Sequence, residues 1–185
     1  MTDRIDLITT DEALMAEVKD GNLDIASELY DRYSKRLFNY FVKISRDRDA
    51  SYDMMQNTFL RVIKYKHTYR EGNPFKAWIY QIARNVFADH LRKNKVLYSD
   101  YKPIEAVEGH SIEDDTDKLH QESVLKRSLL KLSEQSREIL VMSRYQNMKY
   151  EEISDVLGIT VSSVKVKVHR AIKKLRIVYF ELEKI

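Results

Sequence analysis

The side chains in this 185-residue sequence whose types and spacing could do chemistry are mostly cations. Lys165, Lys167, Arg170, Lys173, Lys174 and Arg176 fall between Thr160 and Arg176, a stretch with no acidic residue. Val161, Val164, Val168, Ile172 and Leu175 recur among them at three- and four-residue steps, which gives one apolar helical face and positive faces beside it. Such a helix can hold phosphates by charge and hydrogen bonding. A second cationic stretch, Arg61 to Lys95, carries nine basic residues against Glu71 and Asp89. Tyr65, His67, Tyr69, Trp78, Tyr80 and Phe87 are interleaved with them. Rings beside cations suit unpaired nucleic acid, because bases stack on the rings while the cations hold the backbone. The same rings would also suit a core, which is the expectation for Trp78 and Phe87.

Other chemistries find little support. His67, His90, His110, His120 and His169 are scattered, with no HExxH and no paired metal spacing. The chain has no cysteine, so neither a disulfide nor a thiolate site is available. Glu113-Asp114-Asp115 lacks a helical frame, and there is no P-loop and no GxSxG. The sequence therefore reads as a non-enzyme, with no cofactor and no metal.

These cations need helices to place them. In YEEISDVLGITVSSVKVKVHRAIKKLR (150–176), Tyr150, Ile153, Val156 and Leu157 share one face. Gly158 can end that helix in the left-handed conformation, and Thr160 can cap the next. The pattern is a helix-turn-helix whose second helix enters a DNA major groove. An amphipathic hairpin with a solvated basic face would carry the same stripe.

Only four Gly and two Pro, with 33% charged residues, favour helices throughout. Upstream, helices are expected over Asp11–Asp20 and from about Leu23 to Ile44. In the second, Ala26, Leu29, Tyr30, Tyr33, Leu37, Tyr40, Phe41 and Ile44 form the apolar stripe. Two more follow, from about Ala50 to Tyr65 and from Pro74 to about Lys95. Proline at a first helical position sacrifices no needed hydrogen bond.

Charge is uneven along the chain. Residues 1–95 carry net +3, 96–122 net −6 and 123–185 net +6. Periodicity fades from Val96 to Glu122, which reads as an acidic, extended or partly ordered linker. A further helix should begin near Ser123, with Ser133 capping the next and Gln146-Asn147-Met148 turning the chain into the helix-turn-helix. The expected fold is all-α: two small helical domains, 1–95 and 123–185, joined by a flexible linker, the second a four-helix domain. The acidic N-terminus has no apolar core, so no signal peptide is expected. No run of eighteen apolar residues exists, so no membrane insertion is expected either. A cytoplasmic protein fits these features.

Three segments then combine in order: DMMQNTFLRVIK (53–64), FKAWIYQIARNVFADHLRKNK (75–95) and SEQSREILVMSRYQNMKYEEISDVLGITVSSVKVKVHRAIKKLR (133–176). Together they resemble the bacterial RNA polymerase sigma factors of the extracytoplasmic-function class, over about residues 10–178. The resemblance implies a specificity subunit that binds core RNA polymerase, brings it to promoter DNA and helps capture the melted non-template strand. It implies polymerase contacts at Asp53, Gln56, Phe59, Leu60 and Val62. It implies −10 element contacts at Tyr69 and Arg70 of the 67–74 loop and at Arg84, Asn85, Asp89 and Arg92. It implies −35 element contacts at Ser162, Ser163, Lys165, Val166, Lys167, His169 and Arg170. An inhibitory anti-sigma factor is a further partner frequent in the family.

The chain departs from the family pattern in places. Asn57 stands where DLVQETF-type segments have Glu. Val166 stands where Ser is common, which exchanges a hydrogen bond for a contact suited to a thymine methyl. Asn85 and Asp89 also have a reading without DNA, as surface polarity or as an Asp89–Arg92 pair at i,i+3. A helix-turn-helix repressor or activator working without polymerase is the alternative function. It would need a dimer seam, and no heptad pattern is present.

Overall fold

A computed structural model of the protein describes residues 10–97 and 116–184. They are all-helical and fall into two compact units. No described helix is long and apolar enough to cross a membrane.

The first unit contains α1 (Asp11–Asp20), α2 (Ala26–Ser45), α3 (Arg48–Lys64) and α4 (Phe75–Leu97). Thr10 caps α1 by accepting the Ala13 N–H at 3.2 Å. Asp47 caps α3 by accepting that of Ala50 at 2.8 Å. These short polar side chains satisfy first-turn donors that have no intrahelical acceptor. Leu29, Tyr33, Leu37, Tyr40, Phe41 and Ile44 bury one stripe of α2. Met54, Met55 and Val62 of α3 and Phe75, Ile79, Tyr80, Val86 and Phe87 of α4 are buried too. Edge-on ring pairs, Tyr40–Tyr80 and Tyr33–Phe75, each at 5.2 Å, add specific geometry to that burial.

Two aromatic expectations change. Tyr80 is fully buried and cannot meet a base. Tyr30, expected in the core stripe, is exposed and rests against Phe59 at 4.7 Å. The hydrophobic period of α2 is satisfied by Leu29 and Tyr33, which leaves the intervening Tyr30 at the edge.

The second unit contains α5 (Thr116–Lys131), α6 (Glu134–Leu140), α7 (Tyr150–Leu157) and α8 (Val161–Glu183). A π-helical turn over Val141–Tyr145 prolongs α6. Asn147 then takes φ 48°, a left-handed value that asparagine tolerates, and the chain turns into α7. Val124, Leu129, Leu132, Ile139, Leu140, Val141, Met142, Ile153, Val164, Val168 and Ala171 are buried.

The linker expected over 96–122 is shorter. Helix α4 continues to Leu97, and α5 begins at Thr116. The stretch from Thr116 contains no Gly or Pro and extends the helix-forming pattern upstream of Ser123. Residues 98–115, which hold the rest of the expected linker, lie outside the described residues.

Candidate polymerase and nucleic-acid interfaces

On α3, Asp53, Gln56 and Leu60 are exposed at three- and four-residue steps, so they share a face. Leu60 is 71% exposed, an unusual placement for a large apolar side chain. Phe59 is half-buried against Tyr30. Val62 departs from its expected place: it is 2% exposed and turned into the core. Its side chain packs the unit together and offers no outer contact.

Between α3 and α4 runs a polar chain. Asn57 Oδ1 accepts from Arg61 Nε at 2.9 Å, and an Arg61 terminal nitrogen donates to Asp89 Oδ2 at 2.7 Å. Arg92 donates to the other Asp89 oxygen. The Asp89–Arg92 pair expected as one alternative is therefore present, with Arg61 as an additional partner. Asn57, Arg61 and Asp89, with Asp53, His90 and Lys93, line a small open pocket of about 150 Å³. The hydrogen bond from Arg61 is the main cause that holds the Asp89 carboxyl below its ordinary range; burial opposes it, and the hydrogen bond from Arg92 adds a smaller lowering.

A charge effect follows from that depressed carboxyl. Asp89→Asn keeps the shape and removes the charge. Wild type should be the more stable form at neutral pH, where Asp89 is ionised. The advantage should vanish as pH falls below the ordinary carboxylate value and Asp89 takes up its proton. Urea midpoints of both proteins from about pH 7 to about pH 3 check this; a gap that stays constant would refute it.

Asn85 and Arg92 are exposed on α4, seven residues apart, with Asp89 between them; Arg84 is exposed beside Asn85. The segment before α4 begins with a single 3-10 turn, Lys66–Thr68. His67, Arg70 and Asn73 are exposed on it. Tyr69 again differs from expectation. Its ring is 1% exposed, packed on Trp78 at 5.3 Å and Phe75 at 6.2 Å. Its hydroxyl donates to the Asn73 carbonyl at 2.6 Å. Burial, with Glu12 and Glu71 nearby, pushes that phenol up to about 12, so it stays a hydrogen-bond donor. Tyr69 shapes the loop from beneath.

In the second unit, Gly158 takes φ 63° and ends α7, a conformation that a Cβ would strain. Glu152 accepts the Lys149 N–H at 2.7 Å at the start of α7. Thr160 caps α8 by accepting from Ser163 N at 3.2 Å. Ser163 is half-buried, its hydroxyl 2.9 Å from that of Thr160, so part of its polar capacity serves the cap. With Val164, Val168 and Ala171 buried, the opposite face of α8 presents Ser162, Lys165, Val166 and His169. Val166 is 48% exposed there. Lys167, Arg170 and Lys174 lie to one side, lining a groove of about 200 Å³ with Gln135, Ser136 and Ile139. No group of three or more His, Cys, Asp or Glu able to hold a metal occurs among the described residues.

Nothing in the residue pattern marks Arg61's reach. Its link to Asn57 lies within one helix, but Asp89 is 28 residues away in the chain. The surface pairing of Tyr30 with Phe59 is likewise illegible in the sequence, where Tyr30 reads as part of the core stripe, because Phe59 sits on a different helix.

An all-helical protein with a basic helix-turn-helix unit and a separate aromatic, cationic unit is a DNA-binding protein of two modules. Residues 29–96 match the family model for sigma-70 region 2, and residues 123–175 that for sigma-70 region 4. Among curated relatives, the RNA polymerase sigma factor CarQ of Myxococcus xanthus is 29% identical over 171 residues, spanning 91% of this chain and 97% of CarQ. The ECF RNA polymerase sigma factor SigM of Bacillus subtilis is 27% identical over 154 residues, spanning 82% and 93%. The sigma factor RpoE of Bartonella quintana, solved in complex with the anti-sigma factor NepR, superimposes with a TM-score of 0.70 at 25% identity. That match covers 86% of this chain and 96% of the RpoE chain. The chain belongs to the sigma-70 family, as an RNA polymerase sigma factor of the extracytoplasmic-function class. It is a non-catalytic subunit that binds RNA polymerase and directs promoter-specific initiation.

Proposed function

We propose that the work of initiation is divided among three surfaces. The outer face of α3, with Asp53, Gln56, Leu60 and the Tyr30–Phe59 pair, docks on core polymerase. The exposed side of α4 with Arg84, Asn85 and Arg92, together with Arg70 and its loop, engages the −10 element as the strands part. Unstacking a base costs a few kcal/mol, which contacts of this kind can offset. The outer face of α8 reads the −35 element as duplex. On this reading residues 1–95 and 123–185 are the functional modules, and the protein works in the cytoplasm, where its polymerase is.

The observation that carries the reading is the face of α8 opposite Val164, Val168 and Ala171. It is cationic, carries an exposed Val166 and has no acid from Thr160 to Arg176. On this geometry Lys165 meets base edges, whereas Arg170, in the lateral groove with Lys167 and Lys174, meets phosphate. Lys165→Ala should cost about 1–3 kcal/mol at one −35 position and relax the preference there. Arg170→Ala should weaken all promoters alike and reduce the salt slope by about one. Run-off transcription with core polymerase over a promoter library measures both. Full activity in the double variant would reject the assignment, and tight duplex binding without polymerase would favour a free-standing regulator.

An anti-sigma factor is the further partner in this proposal, supported by the likeness to RpoE in its complex with NepR. Affinity capture from the native cell that returns polymerase and no other stoichiometric protein would oppose it.

A further inference from the structure

Helix α1 lies outside the segment that matches region 2, which begins at residue 29. Yet it reaches the 66–74 loop from both ends. Thr10 starts α1 so that the next two residues, Asp11 and Glu12, are first-turn carboxylates. Asp11 accepts from the Tyr33 hydroxyl at 2.5 Å and from Arg32 at 2.9 Å. Tyr33 in turn stands edge-on to Phe75. Glu12 Oε1 accepts the backbone N–H of Phe75 itself at 3.0 Å. That N–H belongs to the first turn of α4, where donors have no intrahelical acceptor. Glu12 thus caps a helix that starts 63 residues downstream, at the end of the loop.

At the loop's other end, Lys66 Nζ donates to the Val18 carbonyl at 3.1 Å, in the last turn of α1. A cation at a helix C-terminus is favourable, and this one ties the loop's first residue to the same helix. Midway, Lys19 and Glu71 pair at 3.2 Å, with Glu71 largely exposed; such a pair adds little strength. Between the two stronger ties sits the Tyr69 pillar, its hydroxyl fixed on the Asn73 carbonyl. Met15 and Val18 of α1 are fully buried, so the helix cannot shift without disturbing the core.

We propose that α1 is a positioning element for −10 recognition, with Glu12 and Lys66 as the residues that hold the 66–74 loop in its reading conformation. The inference rests on the reading of that loop as a −10 contact. A site that discriminates bases must hold its donors within about half an ångström of the productive geometry, and supports behind the contacting residues set that tolerance. Arg70 and Asn73 face solvent on a short segment, and hydrogen bonds accepted by α1 tie both of its ends to that helix.

The test uses the full-length protein with core RNA polymerase. Run-off yields are compared on the cognate promoter, on one with a −10 mismatch and on one with a −35 mismatch, alongside core affinity. Glu12→Ala and Lys66→Met should each lower −10 discrimination about fivefold, the equivalent of about 1 kcal/mol. The −35 discrimination and core affinity should hold. Glu12→Gln, which keeps an acceptor oxygen, should restore most of the −10 discrimination. Should Glu12→Ala fail to fold, Lys66→Met, which cuts only the tie at the other end, decides. Equal losses on all three promoters would mean that α1 only stabilises the unit, and would overturn the proposal. If Arg70→Ala lowers −10 discrimination while the Glu12 and Lys66 variants do not, the proposal falls and the loop reading stands. If Arg70→Ala leaves −10 discrimination intact, both fall.

Discussion

Leu60→Asp is expected to detach the protein from core RNA polymerase while leaving its fold intact. Leu60 projects from α3 at 71% exposure, beside Asp53 and Gln56 and next to the Tyr30–Phe59 ring pair. A single exposed leucine would need no explanation. Here the leucine, a half-covered phenylalanine and a tyrosine edge adjoin an acid and an amide, which is the make-up of an apolar anchor with a polar rim. Replacing such an anchor with a charge desolvates a carboxylate against an apolar partner. The loss should be at least about 2 kcal/mol, roughly thirtyfold in affinity. Because the side chain contributes little to the core, stability should change by no more than about 0.5 kcal/mol. Val62 provides the contrast two residues on. Its side chain is buried, so Val62→Ala should lower the unfolding midpoint while affecting polymerase binding only through the unfolded fraction. Competition binding to core polymerase, paired with thermal melts, separates the two effects. A Leu60→Asp protein that binds core as wild type does would remove α3's outer face from the proposed interface.

The difference between Leu60 and Val62 marks where sequence reading stops. Both are aliphatic, both belong to the segment that resembles the family's polymerase-binding helix, and a two-residue step turns one outward and the other inward. Signals local to a few residues were legible: Thr160 as cap, Gly158 as stop, the start and end of α1, and the apolar period of α8. Each depends on chemistry within one turn of helix. Signals that depend on a partner far along the chain were not. Tyr69 and Tyr80 look like stacking rings when they lie among cations in the sequence, and only packing shows that they are core. Asp89 looks like one partner of Arg92, and only the approach of α3 to α4 adds Arg61. For the −10 surface the consequence is chemical. The Asp89 carboxylate is already committed to two guanidiniums, so on the proposed −10 reading its part would be to orient Arg92 rather than to accept from a base. The start of α5 escapes the sequence for a related reason: an acidic composition reads as an extended or partly ordered linker, although the residues from Thr116 onward favour a helix.

Arg137→Met is expected to unfold much of the second unit. Arg137 is a charged residue only 8% exposed, sited on α6. Its Nε donates to the Leu129 carbonyl at 3.2 Å, and a terminal nitrogen donates to those of Leu130 and Leu132, both at 3.1 Å. Those carbonyls lie at and just beyond the end of α5, where intrahelical donors run out, although that of Leu129 also accepts the Leu132 N–H at 3.2 Å. The planar fork of one guanidinium therefore closes α5 and joins it to α6, with its charge placed at the negative end of α5. Methionine fills similar volume and removes every guanidinium donor; each buried acceptor left unsatisfied costs about 1–3 kcal/mol, the Leu132 carbonyl foremost, since that of Leu129 keeps the Leu132 N–H. A unit of this size has only about 4–10 kcal/mol of stability in total. Arg137→Lys should recover little, because a single ammonium cannot span the three acceptors in the fork's geometry. Amide hydrogen exchange on the full-length protein provides the readout. In Arg137→Met, protection should collapse across α5, α6 and α8 while α2–α4 keep theirs. Transcription from promoters that depend on the −35 element should then fail although core polymerase is still bound. Wild-type protection in α5 and α6 would show that water or other side chains satisfy those carbonyls equally well, and that the guanidinium is not what holds the unit together.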